Sequence, residues 1–257
     1  MNRYFLELAY DGTNYHGWQV QPNASSVQAL LDDALEKALR EKVHVIGAGR
    51  TDTGVHASYF VAHFEVEQSI DNPDKVVHKV NRILPQDVVV SSLQKVAGDT
   101  HSRFNAIERT YKYFVHTTKN PFLRHYSYRP YYIPDFDLMN KAAEKLFDYI
   151  DFTSFSRLHT EVKTNNCKIV KARWEKEGDQ WYFIISADRF LRNMVRAIVG
   201  TLFEVGRGKV SVDEFCQIIE AKDRGKAGSS APGHALFLTD IVYPEELFVS
   251  KVKKREG

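Results

Sequence analysis

One carboxylate, one guanidinium and one imidazole share a single short stretch, Gly47-Ala48-Gly49-Arg50-Thr51-Asp52-Thr53-Gly54-Val55-His56-Ala57. Its glycines let the backbone bend sharply and come close to a ligand. The apolar run Val43-His44-Val45-Ile46 leads in, and Tyr59-Phe60-Val61-Ala62 leads out. Loops held between rigid strands are where catalytic groups concentrate. A carboxylate there serves as a nucleophile or as a general base. The plainer alternative is that Arg50 and Asp52 pair across a tight hairpin, because turn chemistry alone favours Asp and Gly.

Two other stretches concentrate charge. From His101 to Tyr132 there are six Arg or Lys, including Arg103, Arg109, Arg124 and Arg129, against one acid, Glu108. Nine aromatics are interleaved with them, among them Phe104, Tyr111, Tyr113 and Phe122. That mixture suits a surface that holds phosphates and stacks bases. It also suits ordinary strands with a wet basic face. Further on, Arg189, Arg192 and Arg196 fall at i, i+3 and i+7, which places them on one face of a helix. Arg196 lies in the apolar run Met194-Val195-Arg196-Ala197-Ile198-Val199, where a lone arginine is expensive to bury. The alternative for all three is a solvated basic stripe.

The elements that would position these groups follow from periodicity. Arg3 to Tyr10, Val43 to Gly49, Ser58 to Val66 and Asp87 to Val96 read as strands. Ser25 to Arg40 reads as a helix opened by a Ser25/Gln28 capping box, and Pro73 to Leu84 as a helix capped by Asn72. The order is β-α-β-β-α-β, the ferredoxin-like plan. The order then recurs. Arg109 to Thr118 is a strand with Tyr126 to Tyr132 added beside it, and Leu138 to Phe147 is a helix. Lys168 to Glu177 and Gln180 to Ala187 form a hairpin across Gly178-Asp179. Phe190 to Val205 and Val212 to Ala221 are helices, and Leu236 to Tyr243 closes the set. The expected fold is therefore α+β. Two ferredoxin-like halves, residues 1–100 and 101–245, would join antiparallel sheets and leave a central cleft, and a basic tail covers 246–257. Lys222 to Gly233, rich in Gly, Lys and Ser, reads as a loop.

Composition excludes several classes. The 257 residues are 43% hydrophobic, enough for one core or two small ones. No apolar run is long enough to span a membrane. The start, Met1-Asn2-Arg3-Tyr4, enters a strand pattern without the layout of a signal peptide. Cys167 and Cys216 lack metal-ligand spacing and read as small buried hydrophobes in a reducing cytoplasm. Neither a metal cluster nor a phosphate-binding glycine loop is present in the pattern, so no metal and no cofactor is expected.

The Asp52 stretch resembles the nucleophile motif GxGRTDxGVHA of the TruA family of tRNA pseudouridine synthases. Other segments resemble the same family in the right order. Tyr10-Asp11-Gly12-Thr13 with Tyr15-His16-Gly17-Trp18-Gln19-Val20-Gln21-Pro22-Asn23 is similar to its opening segment. Arg109-Thr110-Tyr111-Lys112-Tyr113 is similar to its second motif, and Phe190 to Gly200 to its third. Ala231 to Leu238, ending in Ile241-Val242-Tyr243, is similar to its closing segment. One departure is Gly233-His234-Ala235, where the family often reads Ala-x-Gly.

The resemblance implies an isomerase of tRNA processing that converts uridine to pseudouridine in the anticodon stem-loop at positions 38, 39 and 40. It implies a homodimer with no cofactor. It makes Asp52 the catalytic carboxylate, acting at C1′ or as a base. Desolvation in a closed pocket favours the protonated carboxyl, so an ion-pair partner is needed, and the resemblance assigns Arg196. It places Tyr111 over the target base, where an aromatic face returns about 1–3 kcal/mol of lost stacking. It has Arg50 intrude on the RNA. Arg192, Arg109 and His56 join as substrate-binding residues, with His56 also fitting as a neutral ring that bonds the loop backbone. Trp18 and Gln19 line the cleft, or Trp18 belongs to the core.

Three rivals remain. Asp52-Thr53-Gly54 is the short motif of aspartic proteases, but those need two carboxylates sharing a proton, and a second Asp-Thr-Gly is absent. A non-catalytic RNA-binding module on ferredoxin-like sheets would keep its binding after Asp52→Asn. A purely structural assembly protein leaves the basic-aromatic segment without a purpose.

Overall fold

A computed structural model of the chain describes residues 1–157 and 164–248. It is a mixed helix-and-sheet protein with antiparallel strand pairing. Contacts divide the chain into two compact units, Met1–Ile107 with Asp240–Gly257, and Glu108–Thr239. Most of the basic tail, residues 249–257, lies outside the described residues.

The first unit runs β1 (Asn2–Tyr10), α1 (Val27–Leu39), β2 (Ile46–Gly47), β3 (His56–Val66), α2 (Pro73–Ile83) and β4 (Val88–Val96). Strand order is β4-β1-β3, with β2 on the outer side of β3. One face of β1 is buried throughout, through Tyr4, Leu6, Leu8 and Tyr10, and Phe5 is buried on the other. Tyr4 and Leu8 face Phe64 and Phe60 across the ladder on one side, and Phe5 meets the rings of His63, Tyr243 and Phe248 on the other. Each such burial contributes about 1.5–3 kcal/mol.

Two expectations need correction here. The N-cap of α1 is Ser26, whose Oγ accepts from Ala29 N at 3.3 Å, and not Ser25. Ser25 Oγ instead donates to the Asn14 carbonyl. With the cap one residue later, Gln28 leaves the capping box. Its amide accepts from Val20 N at 3.0 Å and donates to Val45 O at 2.7 Å. Those bonds also explain why the strand expected over Val43–Gly49 is only Ile46–Gly47. Asp32 Oδ1 takes Val45 N at 2.8 Å, so side chains of α1 satisfy the Val45 backbone before any ladder can. Helix α2 opens as read, with Asn72 accepting from Lys75 N and Pro73 in the first turn.

The second unit holds β5 (Glu108–His116), α3 (Phe136–Glu144), β6 (Ile169–Glu177), β7 (Gln180–Ala187), α4 (Met194–Gly206) and α5 (Val212–Glu220). It also holds the start of β8 (Leu236–Val242), and strand order here is β8-β5-β7-β6. The β6–β7 hairpin matches its expected bounds within a residue, and Ser211 with Glu214 forms a true capping box on α5. Asp135 caps α3 through Leu138 N, so that helix starts before the expected Leu138 and ends at Glu144.

Two further corrections fall in this unit. The strand expected over Tyr126–Tyr132 is a single bridge, Val115 to Tyr128. Pro130 has no N–H to extend it, and Ser127 N is already turned back onto Leu123 O. The helix expected from Phe190 begins at Met194. Asn193 ahead of it is left-handed, at φ 67°, a conformation that a helix cannot include. Arg189 and Arg192 therefore precede α4 and do not share a helix face with Arg196.

Candidate active site

Asp52 belongs to the first unit, on the connection between β2 and β3, and is half-buried. The loop does not hold its own shape. The opening segment, residues 10–18, braces it from below. Trp18 N donates to Thr51 O at 3.4 Å, and Gly54 N to Tyr15 O at 3.2 Å. The Tyr10 hydroxyl meets Thr51 Oγ1 at 2.9 Å. Val55 N returns to Asp52 O at 3.1 Å, closing the turn on the aspartate itself. The two segments touch backbone to backbone. A Cβ on Gly12 would stand 2.1 Å from Val55 O, and one on Gly17 2.2 Å from Thr51 O. Gly17 also has φ +93°, which L side chains rarely adopt.

His56 is buried at the end of this loop, and its Nδ1 lies 3.0 Å from both Gly12 N and Asp11 Oδ1. One ring nitrogen cannot accept from the amide and donate to the carboxylate together. In the Nε2–H tautomer it takes the Gly12 amide, and either way the ring ties the opening segment to β3. Trp18 is core, stacked on Phe60 with centroids 4.2 Å apart. Arg50 is exposed. The bracing role of Tyr10, Gly12, Tyr15 and Gly17 was not foreseen from the sequence. The signal for it was the pair of glycines, one on either side of Tyr15; Gly12 also opens a short 3-10 turn capped by Asp11.

The second unit carries Arg109, Tyr111, Arg192 and Arg196. Tyr111, half-buried on β5, meets the Phe190 ring edge-on at 5.1 Å and 90°. Arg109 Nη1 donates to Asp188 O at 2.8 Å. These contacts draw the start of β5 against the segment Asp188–Asn193, whose Arg192 is exposed. Arg196, in the first turn of α4, is partly buried, and its Nε donates to Ala231 O at 2.7 Å. Ala231 N donates back to Arg196 O at 2.9 Å. The loop from Arg224 to Ala231 is strapped along α4. Gly228 N meets Thr201 Oγ1 at 2.9 Å, and Asn193 Nδ2 meets Ser230 Oγ at 2.6 Å. A Cβ on Gly200 would stand 1.8 Å from Ser229 O. Burial drives the Tyr113 phenol well above its ordinary pKa, and the Arg196 charge opposes that shift. Among the described residues no group of three or more His, Cys, Asp or Glu is placed to hold a metal ion, and no helix is long and apolar enough to cross a membrane.

The sequence profile described as tRNA pseudouridine synthase matches residues 8–105 and 142–244, which include both the Asp52 loop and α4. The chain belongs to the tRNA pseudouridine synthase family. It is 60% identical to the tRNA pseudouridine synthase A of Bacteroides thetaiotaomicron over 99% of this chain and 95% of that one. It is 59% identical to that of Bacteroides fragilis, over 96% and 99% of the two chains. For Parabacteroides distasonis the identity is 56%, over 96% and 98%. Pseudouridine synthases are isomerases, and the stretch of this chain that the profile matches includes the braced Asp52 loop.

Proposed function

We propose that this chain isomerises uridine to pseudouridine in the anticodon stem-loop of tRNA, at positions 38, 39 and 40. The observation that carries the reading is the Asp52 loop: a single half-buried carboxylate held by close backbone contact from a second segment. A reaction that rearranges one nucleotide needs such a fixed carboxylate, since positioning supplies much of the rate. The C1′–N1 bond breaks, the uracil turns, C5 bonds to C1′, and the C5 proton leaves as N1 gains one. Nothing is oxidised, and no group is imported.

In this reading Asp52 acts at C1′ as a nucleophile, or as a base on the sugar. Arg196 is its ion-pair partner, which keeps the carboxylate charged in a site closed to water. Tyr111 covers the uracil and Arg50 enters the RNA. Arg192 and Arg109 face phosphates, and His56 holds the loop. Supporting the arrangement are the Ala231 contact that fixes the Arg196 guanidinium and the Phe190 edge that fixes the Tyr111 ring. The two ferredoxin-like halves around a cleft also belong to this proposal. The strand order β4-β1-β3 with β2 outside β3 supports it for the first unit. A homodimer, a cytoplasmic place of work and the absence of any cofactor are further parts of the same proposal. Recognition rests on phosphates and shape more than on base edges, which suits action at three adjacent positions.

The test is to incubate the protein with unmodified tRNA transcripts and map pseudouridine by carbodiimide adduction and primer extension. Stops confined to 38, 39 and 40 are expected. Stops elsewhere in the tRNA would keep the activity and overturn the site assignment. Absence of stops with RNA binding intact would favour the non-catalytic binding module.

A further inference from the structure

An apolar ring held in water by a rigid turn calls for an explanation. Phe104 is 75% exposed. It projects from a turn, residues 100–106, that is fastened at almost every residue. Arg3 Nη1 donates to Thr100 O at 2.8 Å, and His101 N to Asn105 Oδ1 at 2.6 Å. Arg103 N donates to His101 Nδ1 at 3.0 Å, and Tyr243 Oη to Ser102 O at 2.5 Å. A chain that merely tolerated an exposed phenylalanine would leave it on a loose loop, where the ring could fold down.

The ring is also backed by other rings. His101 packs against Phe104 with centroids 4.3 Å apart and a tilt of 39°, and His63, buried in the sheet, meets His101 edge-on at 4.6 Å. The Arg103 guanidinium is 5.7 Å from the Phe104 centroid. This aromatic cluster therefore ends in a solvent-facing phenyl group with the Arg103 cation over part of its face. Aromatic platforms flanked by arginine are what an unstacked nucleobase and its phosphate recognise. A protein surface of opposite charge would need only the guanidinium, not an exposed ring held rigidly next to it.

The turn is tied to the Asp52 loop. Ser102 Oγ donates to Ile46 O at 2.9 Å, and Ile46 begins the strand that runs directly into that loop. Ser102 and His63 are also joined, at 2.8 Å, and His63 is the ladder partner of Ile46. The turn that carries Phe104 is thus hydrogen-bonded to the strand that leads into the Asp52 loop.

We infer that Phe104, with Arg103, is a stacking site for an unpaired RNA base other than the target uridine, and that Arg103 takes that nucleotide's phosphate. The inference rests on the RNA substrate proposed above, not on the position modified.

The experiment compares wild type with Phe104→Ala, Phe104→Leu and Phe104→Trp, reading kcat and KM for a tRNA transcript. RNA binding is read in parallel by filter retention, and oligomeric state by sedimentation. Loss of one stacked base should raise KM and Kd roughly 5- to 100-fold in the Ala and Leu variants, with the effect on KM rather than kcat. The Trp variant should match or exceed wild type. Leu matching wild type would overturn the inference, because packing and not stacking would then be the role. So would a changed oligomer with RNA binding intact, or a loss in kcat alone. If wild type itself forms no pseudouridine, the enzyme reading fails, and the binding arm still decides the stacking site.

Discussion

At the scale of single residues, Asp52 and Tyr111 divide the work differently. Asp52 depends on its neighbours for position, through the Val55–Asp52 turn and the contacts from Tyr15 and Trp18. Tyr111 depends on its own ring, set edge-on against Phe190. If that ring covers the uracil, its hydroxyl adds little and its face is essential. Tyr111→Phe should stay within severalfold of wild type. Tyr111→Ala should lose about 1–3 kcal/mol of substrate stacking, or roughly 5- to 100-fold in kcat/KM. Steady-state assays of the two variants check this, and an alanine variant equal to wild type would remove Tyr111 from the site.

At the scale of elements, close backbone approach sets the geometry. Gly12→Ala or Gly17→Ala drives a methyl group into Val55 O or Thr51 O, and Gly17 adds left-handed strain. Overpacking of this kind costs about 1–3 kcal/mol, and here it displaces the Asp52 loop. Both variants should lower Tm by several degrees and reduce activity more than stability explains. Gly200→Ala should act in the same way on the Arg224–Ala231 strap that holds Arg196. Thermal melts alongside activity would show it, and an unchanged Gly200→Ala enzyme would contradict it.

These elements also mark how far the sequence could be read. Long periodic segments were legible: β1, α1, α2 with its Asn72 cap and the β6–β7 hairpin follow from pattern and capping chemistry alone. What failed did so where a side chain competed with the backbone. Gln28 and Asp32 took the Val45 groups that a strand would have used, and left-handed Asn193 delayed α4. Asp52 and its companions were legible as residue types on a loop. The brace beneath them was not, because Gly12 and Gly17 are spent on contacts distant in sequence.

For the molecule as a whole, two conditions should govern behaviour. Burial holds the His63 imidazole down to about 4, with the nearby His101 and Arg3 charges pushing the same way and Glu65 opposing. The folded state then binds fewer protons at this site than the unfolded chain, whose histidine titrates near 6.5. Stability from this group is fully present above pH 6.5 and is lost as pH falls toward 4. Tm measured across that window should decline, and His63→Gln should decline less; parallel slopes would exclude His63 as the cause. RNA binding should weaken steeply with salt, as release of counterions from the phosphates requires. Removing Arg124 or Arg129 should weaken it about evenly across tRNA substrates, as competition binding would show. A flat salt response would contradict a phosphate-led interface.

The central claim is that Asp52 performs the isomerisation. The most direct measurement is tritium release from tRNA carrying C5-tritiated uridine, with wild type beside Asp52→Asn. The account predicts stoichiometric release by wild type and none by the variant, with tRNA binding retained in both. Release by Asp52→Asn at the wild-type rate would contradict it, and the catalytic group would have to be sought elsewhere in the chain.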